Sequence, residues 1–153
     1  MKLFAIYIGG EMAGANIELH DMRFVAAPTI TDTYDALRRQ WWGTPGSLHI
    51  DCWAEIDHAD GYDIVLKTEP FEGPERLYYV NLGGYVPGEF LERHRNLFIV
   101  ADTVARAKSH AVAADARLHI HLVPAPRRKL AITCEYRPIR APRRQSRSVA
   151  TGP

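Results

Sequence analysis

Residues Leu3–Ala27 read LFAIYIGGEMAGANIELHDMRFVAA, and residues Leu77–Ala101 read LYYVNLGGYVPGEFLERHRNLFIVA. Gly9, Gly10, Gly14, Glu18, His20, Phe24 and Ala27 return as Gly83, Gly84, Gly88, Glu92, His94, Phe98 and Ala101, each 74 residues later. A shorter match follows 70 residues apart, Leu48-His49-Ile50 against Leu118-His119-Ile120. Recurrence at a nearly fixed offset marks one supersecondary unit used twice.

Each unit reads strand, strand, helix, strand, strand. Leu3–Ile8 is an apolar run closed by Gly9-Gly10, as expected of a buried strand. Met22–Ala26 is a second strand, ended by Pro28. Thr29 and Asp32 have the spacing of a capping box. Ile30, Tyr34, Leu37 and Trp41 share one face of the helix that follows, and Gly43 is its stop. Leu48–Asp57 alternates, with Leu48, Ile50, Cys52, Ala54 and Ile56 on an apolar face and His49, Asp51, Trp53 and Glu55 opposite. Asp60-Gly61 signals a tight turn, so Tyr62–Lys67 returns to it as a hairpin. The second copy follows with strands at Leu77–Leu82 and Leu97–Val100. Its helix starts near Asp102, with Val104 and Ala111 in register with Ile30 and Leu37. Strands at Leu118–Val123 and Leu130–Tyr136 complete it.

The expected fold is α+β, two tandem ββαββ repeats related by a pseudo-twofold axis, each shaped like a β-grasp roll. Repeat 1 spans 1–68, a linker 69–75, repeat 2 76–140, and a disordered basic tail 141–153.

Composition bounds function. At 153 residues the chain can bury a core, and 46% apolar with 24% charged residues is ordinary for a soluble globular protein. A net charge of +1 excludes bulk attraction to nucleic acid or membrane. Charge is uneven, however: from Arg127 onward eight basic residues face one acidic, a net of +7, leaving −6 for residues 1–126. Arg127, Arg128, Arg143 and Arg144 are the candidates for a nucleic-acid contact, without interleaved aromatics to support one. The first apolar run is too short for a signal peptide, and no stretch is long enough to span a bilayer. Cys52 and Cys134 lack ligand spacing and read as reduced thiols of a cytoplasmic protein.

The GG-x3-G pattern, the run Asn16-Ile17-Glu18-Leu19-His20-Asp21, then Phe24-Val25, with the later QWWG and SLHIDCW, resembles a bacterial family catalogued only as a domain of unknown function (fifteen-forty-three). That domain occurs in one or two copies per chain, and this chain resembles a two-copy member over roughly residues 1–110. The second copy departs at Phe90 for Asn16, Arg95 for Asp21 and His121 for Asp51. The resemblance implies an intracellular, duplicated bacterial protein and assigns no activity.

Candidate site residues are Gly14, Asn16, Glu18, His20, His49, Asp51 and Trp53. Glu18 and His20 point the same way on an extended segment, as do Glu92 and His94. The later strands carry His49 and Asp51, or His119 and His121, toward them. Glu, His, His and Asp in one cleft form a reasonable shell for a divalent metal or an acid/base pair. Hydrogen bonding to the loop backbone is the plainer role for Glu18 and His20. GGEMAG and GGYVPG follow strands as phosphate loops do, but a strand comes next, so the helix N-terminus that binds phosphate is missing. Their glycines read as positive-φ turn residues. Trp41, Trp42 and Trp53 form an aromatic group able to anchor an interface.

The sequence favours a non-enzymatic binding protein, monomer or homodimer, holding a small polar ligand or partner peptide in a cleft between the repeats. A metal-dependent hydrolase using the same Glu, His and Asp residues is the alternative, and an accessory nucleic-acid binder acting through the C-terminal arginines is a third. No cofactor or metal is named by any motif.

Overall fold

Lys2–Gly10 forms β1, and its continuous apolar run is explained by its place. It is the central strand of a three-stranded sheet in the order β2-β1-β3, where β2 is Leu19–Ala27 and β3 is His49–Glu55. Every residue of it but Lys2 and Tyr7 is buried, which matches a run with almost no polar side chain to show. The computed structural model describes residues 1–114 and the backbone of Thr133–Glu135. Two compact units divide it after Asp57.

In the first unit Phe4, Ile6, Ile8, Ala27 and Leu37 make the core, with Val25, Ile30, Trp41, Leu48, Ile50 and Trp53 packed around them. Thr29 and Asp32 pair as their spacing requires: the Asp32 carboxylate accepts from the Thr29 amide at 3.0 Å and from its hydroxyl at 2.6 Å. The helix is shorter than expected, a 3-10 turn at Thr31–Thr33 running into α1 at Tyr34–Gln40. Its buried face is Ile30, Thr33, Leu37 and Trp41, and Tyr34 is exposed. The tight 3-10 winding rotates the first turn, so position 33 takes the place the α-helical period assigned to 34.

The alternation expected along 48–57 is broken in its middle. Tyr7 pairs with Cys52 and Ile8 with Ile50, so Asp51 is the extra residue of a β-bulge. Before the bulge Leu48 and Ile50 face the core. After it Trp53 takes that side, opposite Ile6, with its ring edge-on to Phe4 at 5.7 Å. Cys52 and Ala54 therefore share the outer face with Tyr7 and Ala5, not the core face their even numbering assigned.

The Asp60-Gly61 turn forms, both residues in left-handed backbone (φ 51 and 84), as a two-residue hairpin demands. It joins β4, His58–Ala59, to β5, Tyr62–Val65. β5 pairs on its other side with the backbone of Thr133–Glu135, here called β8, so β5 belongs to a different sheet from β3. The remaining sheet pairs β6, Arg76–Gly84, with β7, Arg93–Ala101. Every pairing of β6 with β7 matches one of β1 with β2 displaced by 74: Lys2↔Ala27 and Arg76↔Ala101, Gly9↔His20 and Gly83↔His94. The helix after β7, α2 at Val104–Ala114, buries Ala107 and Ala111 against Val80, Leu82, Ile99 and Ala101. Val104, expected on that face, is exposed. Asp60 accepts the Val100 amide at 3.0 Å, giving an edge of β7 a partner.

Among the described residues every strand pair is antiparallel, and the class is α+β. Residues 69–75 carry no regular structure. The strand expected at 118–123, the tail and Arg127, Arg128, Arg143 and Arg144 lie outside the described residues. Among the described residues no helix is long and apolar enough to cross a membrane.

Candidate metal site

Two histidines converge because a glycine lies between them. Gly9 sits on the central strand opposite His20 of β2 on one side and His49 of β3 on the other. Cross-strand partners share a face, with Cβ atoms about 4.5–5.5 Å apart. With no Cβ on Gly9, the two imidazoles lean inward over the strand. A Cβ added there would stand 2.7 Å from His49 Nε2 and 2.9 Å from His20 Cδ2. Gly9 and Gly10 are thus strand residues that permit close approach, and within the two glycine loops positive φ is found at Gly14 (φ 85) and Gly88 (φ 88). Gly10 serves the other face, where Trp41 covers it and a Cβ would collide with the indole.

The start of β3 is tied to the end of β1. Thr44 donates its amide to the Glu11 carbonyl at 2.7 Å, and Glu11 donates its own to Ser47 Oγ at 3.0 Å. Trp41 Nε1 donates to the Thr44 carbonyl at 3.0 Å, closing the turn. Those bonds set where His49 begins its strand.

Carboxylates complete the group. Glu18 Oε1 lies 2.9 Å from His49 Nε2, and Glu18 Oε2 lies 3.8 Å from His20 Nε2. Asp51, aimed outward at the bulge, sets Oδ1 3.3 Å from His49 Nε2 and Oδ2 3.4 Å from His20 Nε2. Donor atoms of Glu18, His20 and His49 all lie within 4.8 Å of one another. The buried Oδ2 of Asp51 has no hydrogen-bond partner. Around a tetrahedral zinc ion with bonds of about 2.0–2.2 Å, donors stand roughly 3.3–3.6 Å apart. The four histidine–carboxylate distances, from 2.9 to 3.8 Å, bracket that spacing.

The ring nitrogens are oriented. His49 Nδ1 lies 3.2 Å from the Ser47 carbonyl, which only accepts, so Nδ1 carries the proton. In the neutral ring, Nε2 then turns a lone pair toward two carboxylate oxygens. A proton or a cation between them satisfies that arrangement, and nothing else does. His20 is held differently, its ring stacked nearly parallel on Tyr7, centroids 5.3 Å apart at 8°. Burial, and then the Asp51 charge, push the Tyr7 phenol above its ordinary value, so it stays neutral beside the cluster. Cys52 is pushed up by the same two causes and is a protonated thiol at neutral pH.

Of the residues singled out from sequence, Glu18, His20, His49 and Asp51 meet. Gly14 and Asn16 lie in the exposed connection between β1 and β2, and Trp53 is on the opposite face of the sheet. Trp41 and Trp42 do stack, centroids 5.1 Å apart, whereas the ring partner of Trp53 is Phe4. Sequence reasoning missed Gly9 and Tyr7. Their signal was the alternation of β1, which puts positions 7 and 9 on one face. His119 and His121 lie outside the described residues.

Nothing among the curated proteins matches this chain. Among the solved structures similar to this chain is a crystal structure of a protein Il1583 from Idiomarina loihiensis, matched over 92% of this chain and 90% of its own at 38% identity and a TM-score of 0.71. Residues 15–66, which include all four converging side chains, match the model of the family described as Domain of Unknown Function (DUF1543). The chain belongs to that family.

Proposed function

We propose that the first unit binds a divalent transition metal, zinc or a metal of similar preference, through His20, His49, Glu18 and Asp51. Imidazole with carboxylate suits zinc, nickel or copper better than calcium or magnesium, which prefer all-oxygen shells. The observation that carries this reading is the pair of imidazoles meeting over Gly9, with Glu18 Oε1 at 2.9 Å and an unpartnered Asp51 oxygen beside them. A plain hydrogen-bonded loop does not need the missing Cβ at Gly9. The protein is then a binding protein, as its sequence favours, with the metal as ligand and the site on one sheet face.

A second reading adds hydrolysis by a metal-activated water. It is supported by the exposure of the ligands: the His20 and His49 side chains are 34% and 43% accessible, so the outer side of the ion is open to solvent. The position-for-position match of the two hairpins, 74 residues apart, supports reading the chain as two copies of one ββαββ unit.

Elemental analysis of the purified, untagged protein tests the proposal, beside a His20→Ala, His49→Ala double variant. Near-stoichiometric metal in the parent and its loss in the variant is the expected result. No metal retained by either, and none bound on zinc titration, overturns it.

A further inference from the structure

The second unit keeps an oriented histidine at the same hairpin position by different means. His94 opposes Gly83 as His20 opposes Gly9. At the position of Tyr7 stands Asn81, and opposite it, where the first unit has Met22, stands Asn96. These asparagines form a directed chain. Tyr79 donates its hydroxyl to Asn96 Oδ1 at 2.8 Å, and Asn81 Nδ2 donates to the same oxygen at 2.5 Å. Asn81 Oδ1 is thereby turned to His94 Nδ1, 2.8 Å away, and an amide oxygen accepts only. His94 Nδ1 is the donor, so Nε2 of the neutral ring faces Glu92 Oε2 at 3.3 Å with its lone pair. Gly83 lies beneath, and a Cβ there would collide with the Glu92 carboxylate.

Stacking on Tyr7 orients the imidazole in the first unit; a hydrogen bond from it orients the one in the second. Three polar residues, Tyr79, Asn81 and Asn96, replace Ala5, Tyr7 and Met22, yet the ring still presents Nε2 beside a glutamate over a glycine. A histidine that only covered the surface would not need its tautomer set. Fixing Nδ1–H on an acceptor is how metal-binding histidines are held and made more basic at Nε2.

We propose that Glu92 and His94 form a second divalent-metal site, with Asn81 as its positioning residue. It takes the same class of metal as the first site, with water in the remaining positions. Two protein ligands instead of four make it the weaker of the two. It stands on its own residues and does not depend on the first site being occupied.

The test is a zinc titration of the full chain against a chromophoric chelator, with thermal unfolding recorded for each variant. The parent is expected to bind two equivalents of unequal affinity. Glu92→Gln and His94→Ala each remove the weaker equivalent and leave the tighter one unchanged. Asn81→Ala weakens the same equivalent by roughly 10–100-fold, the usual effect of losing an outer hydrogen-bond partner. The His20→Ala, His49→Ala variant loses the tighter equivalent and keeps the weaker, so the two sites fail separately. His94 is half exposed, so its replacement is expected to leave folding intact, which the unfolding curves check. Zinc binding by the parent that His94→Ala leaves unchanged, equivalent for equivalent, overturns the proposal; absence of the tighter equivalent alone speaks only to the first site. Side-chain nitrogen shifts give an independent readout: zinc moves His94 Nε2 if the site exists and leaves it in place if not.

Discussion

His49 Nε2 stands 2.9 Å from Glu18 Oε1, although one residue begins β3 and the other precedes β2. The two strands are not neighbours; β1 lies between them. Their side chains meet across it only because the intervening residue is Gly9.

Gly9→Ala is therefore expected to lower zinc affinity at least about tenfold, because its methyl group pushes both imidazoles outward. Gly10→Ala acts on the other face, against Trp41, and is expected to cost about 1–3 kcal/mol of stability with little effect on zinc. Zinc titration and denaturant unfolding of the two variants, run side by side, check the contrast.

Glu18→Gln keeps the shape of the side chain and removes its charge. It should weaken zinc binding by more than the roughly 10–100-fold typical of an outer-shell loss. Asp21→Asn, whose carboxylate is engaged by Arg23 on the other face, should leave affinity within about twofold of the parent. Equal effects of both substitutions would point to general electrostatics in place of direct ligation.

Leu37→Ala removes a fully buried side chain of α1 and is expected to destabilise the fold by about 2–5 kcal/mol. Tyr34→Ala, one turn earlier on the exposed side, should change stability by about 0.5 kcal/mol or less. Urea midpoints at constant m-value measure both.

Burial and the neighbouring Asp51 hold the Cys52 thiol protonated beyond the ordinary thiol range. The folded state thus favours the neutral thiol. That preference is fully present below the unfolded thiol's pKa and is lost as pH rises through the folded one. Alkylation of Cys52 in a Cys134→Ser background should be slower at neutral pH than after unfolding, and should accelerate at higher pH than a free cysteine does. A rate equal to that of the unfolded chain would contradict the shift.

Cys52 also shows where linear reading stops. Its even numbering put it with Leu48 and Ile50 on the core face, and the period-two rule is sound for a regular strand. One unpaired residue, Asp51, reverses the faces from that point on. Trp53 is consequently a core residue and no part of the site. A bulge has no dependable signature in one strand alone, since it exists only relative to the partner's register. Position 33 replaced position 34 on the helix for a related reason: the 3-10 turn is set by packing, not by the apolar period.

What the sequence determined by itself was local and periodic. It specified the strands that build the two long hairpins, the helix after each pair, the Asp60-Gly61 turn, and Glu18, His20, His49 and Asp51 as residues worth watching. Those follow from side-chain alternation, turn chemistry and recurrence, which short stretches encode. Tertiary structure decided which face each side chain took, that β5 pairs with β8, and that Glu18, His20 and His49, from segments on either side of β1, converge with Asp51 beside them. These depend on register between distant segments, and register is chosen by the packing of whole strands against a common core.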